Sequence, residues 1–223
     1  MSSVIDPIEM PAFTGDGLEI VGTDGFNALY GTEKGDFIDA RDGGDFIDAR
    51  AGDDLIDAGL GDDFIRGGKG DDSIFGEGGK DTIFAGKGDD LISSGEGNDV
   101  IFGGKGDDLI HAGEGDDTVF GGKGDDTING GVGNNLLFGD SGEDVFEFAA
   151  EDLDPSFISR IGDFEMDEDR LVIKGLCSDD TVTFDPSSNY VSINGSEVIS
   201  LEDLSNSADL NMEMSEGGDF EIM

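Results

Sequence analysis

From Gly22 to Glu147 the chain divides into 14 consecutive nine-residue units, with no insertion or deletion. A register kept over 126 residues constrains the fold more than any single motif. Each unit must repeat one local structure and bury its apolar face by stacking on its neighbours. A clean unit is Gly121-Gly122-Lys123-Gly124-Asp125-Asp126-Thr127-Ile128-Asn129. The sixth position holds Asp36, Asp45, Asp54, Asp63, Asp72, Asp81, Asp90, Asp99, Asp108, Asp117, Asp126 and Asp144, interrupted by Asn27 and Asn135. The eighth is always apolar, from Leu29 and Ile38 through to Leu137 and Phe146. The first is always Gly, Ala or Ser, and the fourth is Gly everywhere except Lys34.

Physical chemistry turns this spacing into a structure. Glycine reaches positive φ without a steric cost, so the six-residue stretch can curl and aim its carbonyls inward. The last three residues alternate faces, which sends the eighth-position aliphatic one way and positions seven and nine the other. The sequence also separates odd from even units. Position three reads Lys69, Lys87, Lys105 and Lys123, each 18 residues apart, with Glu96 and Glu114 between them. Position nine reads Phe84, Phe102, Phe120 and Phe138 at the same interval, with Ser93, His111 and Asn129 between them. Two sheets and two turn edges would produce this alternation, so the predicted coil is 18 residues long. At ~4.8 Å per strand, the seven resulting coils give a rod roughly 34 Å long.

The unit matches G-G-x-G-x-D-x-U-x, and in this the chain resembles the RTX (hemolysin-type) calcium-binding repeat proteins. The resemblance covers 126 of 223 residues. It implies an all-β fold, a parallel β-roll in which each nonapeptide is half a coil and two sheets enclose the aliphatics. Calcium would lie between turns stacked along an edge, with the sixth-position Asp of one turn and that of the turn two repeats later supplying carboxylate oxygens. Calcium takes about six to eight oxygen ligands, which two stacked turns can supply and one cannot. The expected carboxylate ligands are therefore the twelve sixth-position aspartates. The expected carbonyl ligands lie around Gly59, Gly61, Gly68, Gly70, Gly86, Gly88, Gly95, Gly97, Gly104, Gly106, Gly113, Gly115, Gly122 and Gly124. Sites joining alternate repeats have a ceiling of about 12 ions, and roughly 7 to 10 are expected. Lys34, Arg41, Arg50 and Glu77 replace turn glycines, and Asn27 and Asn135 replace the acid, so the sites at both ends are expected to be the poorest.

One aliphatic per nine residues is a thin core for so glycine-rich a chain, and ordering glycine is entropically costly. The turn carboxylates also repel one another. The metal-free chain is therefore expected to be largely disordered and the calcium-loaded chain to form the roll, since an ion bound only by the folded state supplies folding free energy.

The formal net charge of −42 excludes a phosphate-backbone or anionic-membrane surface, both of which require basic groups. It divides into 31 acids and 9 bases in the repeats, a net −22, and 23 acids and 3 bases in the flanks, a net −20. No apolar run approaches the ~18 residues of a membrane span. A single cysteine, Cys177, excludes an internal disulfide framework and reads as a small buried hydrophobe. The first residues, MSSVIDPIEMPAFTGDG, have no basic segment followed by an apolar one, so no cleaved Sec-type signal is expected.

Residues 1–21 read as a degenerate lead-in coil and cap, with Leu18 and Ile20 in register with the repeats; residues 22–147 are the roll. Residues 148–223 read as a β-rich cap with an acidic tail. Strands are expected at Arg170–Lys174, Thr181–Asp185 and Tyr190–Asn194, with a hairpin turn at Asp185–Asn189. Ile161-Gly162-Asp163-Phe164, then Asp167, Asp169 and Leu171, resembles the segment that follows RTX repeats in many secreted proteins. Gly217–Met223 resembles the acidic-then-hydrophobic tail recognised by type I secretion, although Glu221 interrupts its apolar run.

No catalytic group is expected. The single histidine, His111, stands at an outward position and reads as a solvated residue; the G-x-S-x-G and H-E-x-x-H motifs are absent. Phe84, Phe102, Phe120 and Phe138 form an outward apolar stripe with Val100 and Leu136. It reads as cross-strand stacking, or cover by the C-terminal segment, or a docking face for a partner or second copy. The function expected is that of a non-enzymatic calcium-binding module, exported by a bacterium without a Sec signal and folded by calcium outside the cell or at its surface. One alternative is an accessory module of a secreted hydrolytic or polysaccharide-modifying enzyme. Ice binding is a weaker alternative, since position seven offers only Thr82, Thr118 and Thr127 as outward threonines.

Overall fold

The computed structural model describes Met10, residues 15–177 and 180–202, and the strands Met212–Met214 and Phe220–Ile222. Among the described residues every regular element is a β-strand, and none is a helix long and apolar enough to cross a membrane. The strands form two sheets of eleven, and successive repeats alternate between them. The even repeats contribute Phe37–Asp39, Leu55–Asp57, Ser73–Phe75, Leu91–Glu96, Leu109–Glu114, Thr127–Asn129 and Val145–Ala149 to the first sheet. The odd repeats contribute Ala28–Tyr30, Phe46–Asp48, Phe64–Arg66, Thr82–Phe84, Val100–Lys105, Thr118–Lys123 and Leu136–Ser141 to the second. Pairing is parallel and two repeats apart, for example Ile38 with Ile56 and Ile101 with Val119. This is the expected two-sheet roll with 18 residues per coil.

The repeat dictates this arrangement. The seventh-to-ninth triplet makes a strand, and its central aliphatic is fully buried between the sheets from Ile38 to Phe146. Ala40, Ala49, Ala58, Ala85 and Ala112, at the first position, complete the floor of the core. Turn glycines do two jobs. Gly68 and Gly70 have φ of 122° and 119°, and a Cβ on Gly88 would run into the carbonyl oxygen of Gly70 in the coil below. Coils can stack this closely only where the turn carries no side chain. Arg41, Arg50 and Glu77 break the glycine pattern but keep the turn, at φ of 72°, 79° and 70°.

At the amino-terminal end, Glu19–Val21 adds to the first sheet with Ile20 opposite Ile38, as the register of the lead-in coil predicts. At the other end the coil persists with longer connections. Ser159–Ile161 extends the second sheet and Arg170–Lys174 the first, both still parallel. The pattern then reverses. Val182–Asp185 and Tyr190–Ile193 form the expected antiparallel hairpin, Ser196–Leu201 joins it to the second sheet, and Phe220–Ile222 pairs antiparallel with Arg170–Lys174. The core widens here with Phe148, Phe164, Leu171, Ile173, Val191, Ile199 and Phe220. Residues 217–219 and 223 of the expected secretion tail lie outside the described residues.

Two readings of single residues are corrected. Cys177 is exposed, because it follows the last residue pairs of a strand in a loop where its N–H donates to Asp180 Oδ2 at 2.6 Å. His111 is half-buried on the outer face of the first sheet, and loss of solvation lowers its pKa.

The aromatic stripe is longer than its 18-residue interval indicates. Tyr30, Phe46, Phe64, Phe84, Phe102, Phe120 and Phe138 form one ladder, with ring centroids 4.7–5.8 Å apart. The last four stack with interplanar angles of 3–4°. Arg66 lies over the ring of Phe64 and Arg50 over that of Tyr30. The stripe stays open to solvent at Phe84 and Tyr30, which are 36% and 51% exposed.

Candidate metal centre

The twelve sixth-position aspartates stand in two files, one along each edge of the roll. Each carries its side chain inward and is at most 3% exposed. Within a file each aspartate's backbone N–H donates to Oδ1 of the next member of the file, as in Asp72 to Asp90 at 2.8 Å and Asp81 to Asp99 at 2.8 Å. These bonds hold every carboxylate in one orientation and tie the coils together at their edges.

The second oxygen is the informative one. Oδ2 of Asp45, Asp54, Asp63, Asp72, Asp81, Asp90, Asp99, Asp108, Asp117 and Asp126 is buried and has no hydrogen-bond partner. Buried polar atoms are nearly always paired, and an unpaired ionised oxygen is among the costliest things a protein can bury. Ten in register amount to a built feature. Asn135 reveals what surrounds them. Its Nδ2 donates to the carbonyls of Gly130 at 2.8 Å and Gly131 at 3.3 Å, in its own turn. A Cβ on Gly67, Gly76, Gly103 or Gly121 would meet Oδ2 of Asp72, Asp81, Asp108 or Asp126, just as one on Gly130 would meet Nδ2 of Asn135. In the aspartate turns, then, an acceptor stands where Asn135 places a donor.

A pocket of acceptors alone fits a cation. Among the described residues no three Asp, Glu, His or Cys side chains converge on one point, so the remaining oxygens of any such site would come from carbonyls or water. Carbonyl and carboxylate oxygens in a flexible loop suit calcium, a hard ion of high coordination number. The fourteen glycines expected to frame these sites all have positive φ, from 88° at Gly59 to 145° at Gly61. The first-position carbonyl, represented by Gly130, is an addition to that expectation. Without a counter-ion, burial pushes Asp72 and Asp81 up to about 8, and Asp54, Asp63, Asp90, Asp108, Asp117 and Asp126 up to about 7. The N–H bond from the preceding coil opposes the shift, and neighbouring carboxylates add to it.

Asp169 is the file member that the period misses. It stands 25 residues after Asp144 and accepts the Asp144 N–H at 3.0 Å, so the even file runs on past the repeats. Asp163, from the same segment, accepts the N–H groups of Gly139 and Asp140 at 3.0 and 2.8 Å. Its place in a family-like motif was the only sequence signal for either role.

A family model for the RTX calcium-binding nonapeptide repeat, in four copies, matches residues 21–56, 57–92, 85–119, 93–128 and 111–146. These matches run over the sixth-position residues from Asn27 to Asp144 and cover more than half of the chain. No curated protein matches the chain.

Proposed function

Because this chain belongs to the RTX calcium-binding nonapeptide repeat family and carries multiple calcium sites, we propose that it is a non-enzymatic module folded by calcium after export, serving outside the cell or at its surface. The carrying observation is the set of ten buried carboxylate oxygens without partners. In this reading residues 22–147 load calcium, residues 1–21 lead in, and residues 148–223 cap the roll. Asp45 to Asp126 supply the carboxylate ligands, with turn carbonyls completing each shell. Bound calcium supplies the positive charge that makes burying these oxygens favourable. The chain's own contribution is orientation: each Oδ1 is fixed by an N–H from the neighbouring coil, which leaves Oδ2 facing the pocket.

Low calcium inside a cell leaves such sites empty and higher calcium outside fills them, since extracellular modules bind at about 10⁻⁴–10⁻³ M. The chain would thus stay unfolded for export and fold on arrival. A far-UV circular-dichroism titration tests the folding half, with β structure appearing only as calcium replaces chelator; full β structure in chelator sinks the reading. An immunoblot of culture supernatant against cell pellet tests the location, and retention in the pellet in calcium-replete medium counts against export. The aromatic ladder serves in this proposal as a self-association face.

A further inference from the structure

Each file of sixth-position side chains ends in a turn unlike those within it. The odd file runs Asn27, Asp45, Asp63, Asp81, Asp99, Asp117, Asn135, with asparagine at both ends. Asn135 does two jobs at once. Its Oδ1 accepts the Asp117 N–H at 3.0 Å, as an aspartate would, and its Nδ2 binds the Gly130 and Gly131 carbonyls. The opposite amide orientation would set an oxygen against two carbonyl oxygens, so the network fixes it. Asn27 follows the same logic, its Nδ2 donating to the Thr23 carbonyl at 2.7 Å and to the Gly25 carbonyl.

The even file closes by another route. Asp36 accepts the Leu18 N–H on Oδ1, and the Thr32 N–H and hydroxyl on Oδ2 at 2.5 and 3.0 Å. Asp169 accepts the Glu165 N–H on Oδ2 at 2.8 Å, again from four residues before. Within the file the corresponding N–H is spent elsewhere, Gly68 donating to Ala85 and Gly86 to Gly103. Interior carboxylates therefore lack the donor that the two terminal ones have.

We propose that both files are closed by turns that need no calcium ion of their own, and that in the odd file an uncharged side-chain amide takes the cation's place. Beyond Asn135 the next coil brings Ser159, not a carboxylate, opposite the sixth position, so an ion at this turn would have one acid fewer than an interior ion and would be the easiest to lose. A covalent donor cannot dissociate. Asn135 also links the roll to the cap, since Ser159, which donates to the Gly133 carbonyl at 3.4 Å, lies 3.5 Å from its Nδ2. The end of the roll that carries the cap is thus fastened by groups insensitive to calcium concentration.

This inference rests on the interior carboxylates being calcium ligands, and the test separates the two. Calcium stoichiometry is measured by equilibrium dialysis on the full chain and on Asn135→Asp. The variant is expected to bind one ion more than the wild type. A wild type that binds no calcium defeats the functional reading; a wild type that binds while N135D gains nothing defeats the amide inference alone. Should N135D fail to fold, anomalous diffraction from calcium-loaded wild-type crystals decides. No calcium peak among Asn135 Nδ2 and the Gly130 and Gly131 carbonyls is expected, and a peak there overturns the proposal.

Discussion

At the residue scale, a buried aspartate in this roll has two ways to lose its charge: bind a cation or bind a proton. Burial holds Asp72 and Asp81 at about 8 and six of their neighbours in the files at about 7, against an ordinary value of 3.8. A folded-state pKa above the unfolded one means that the folded chain binds more protons. The resulting stabilisation of the metal-free roll is fully present below about pH 4 and disappears as pH rises through about 7 to 8. Acidifying the chain in chelator from pH 8 to pH 5 should therefore raise its β-sheet signal. At pH 5 calcium should have to displace protons from the acid-compacted roll, so the calorimetric heat would depend on the ionisation enthalpy of the buffer; at pH 8, where the metal-free chain is unfolded with its aspartates ionised, that dependence should vanish. Equal heats at pH 5 in phosphate-free buffers of unlike ionisation enthalpy would contradict this. The aspartates themselves were legible because position six never slips. Asn135 was not: read against the repeat it is a lost ligand, whereas in space it retains the acceptor and adds a donor. Cys177 was misread because composition gives a cysteine's average burial and says nothing about a loop.

Strands and turns were legible for the same reason as the files, since an aliphatic every nine residues leaves the strand only one inward face. The aromatic ladder was legible only in part. Phe84 to Phe138 share the ninth position, but Phe46 and Phe64 occupy the seventh, and the ladder crosses between columns at Phe64 and Phe84. Both positions face outward on the same strand, so the rings meet although no single period connects them. Phe220–Ile222 was equally hidden, because pairing with a strand some fifty residues earlier leaves no local pattern. Stacked faces 4.7–5.0 Å apart leave only ring edges to meet a second molecule. Each aromatic cross-strand pair contributes about 0.5–1 kcal/mol, so the ladder is a modest part of the fold and a continuous apolar surface at the same time. Replacing Phe102 and Phe120 together with Ser should leave calcium stoichiometry unchanged while reducing the mass seen by light scattering to that of a single chain. Identical masses for variant and wild type would reject self-association through this face.

For the whole molecule, charge decides which state can be compact. The repeats carry −22, and ten divalent ions, one for each unpartnered carboxylate oxygen, would bring them close to neutrality. The flanks keep −20 in either state. The metal-free chain is thus a polyanion along its whole length, expanded by self-repulsion that salt can screen over a Debye length of ~10 Å at 0.1 M. The loaded chain is a nearly neutral rod with acidic ends, and screening has little left to act on. Hydrodynamic radius measured by dynamic light scattering should fall markedly when sodium chloride is raised from about 0.02 to 0.5 M in chelator, and hardly change in saturating calcium. The two cations should also differ in kind. Sodium screens from solvent and cannot complete a pocket of carbonyls and carboxylates at every turn, so the compacted chain should gain no β-sheet signal. If high sodium restored the circular-dichroism spectrum of the calcium-loaded protein, relief of repulsion would suffice to fold the roll, and the ten oxygens would need no ligand.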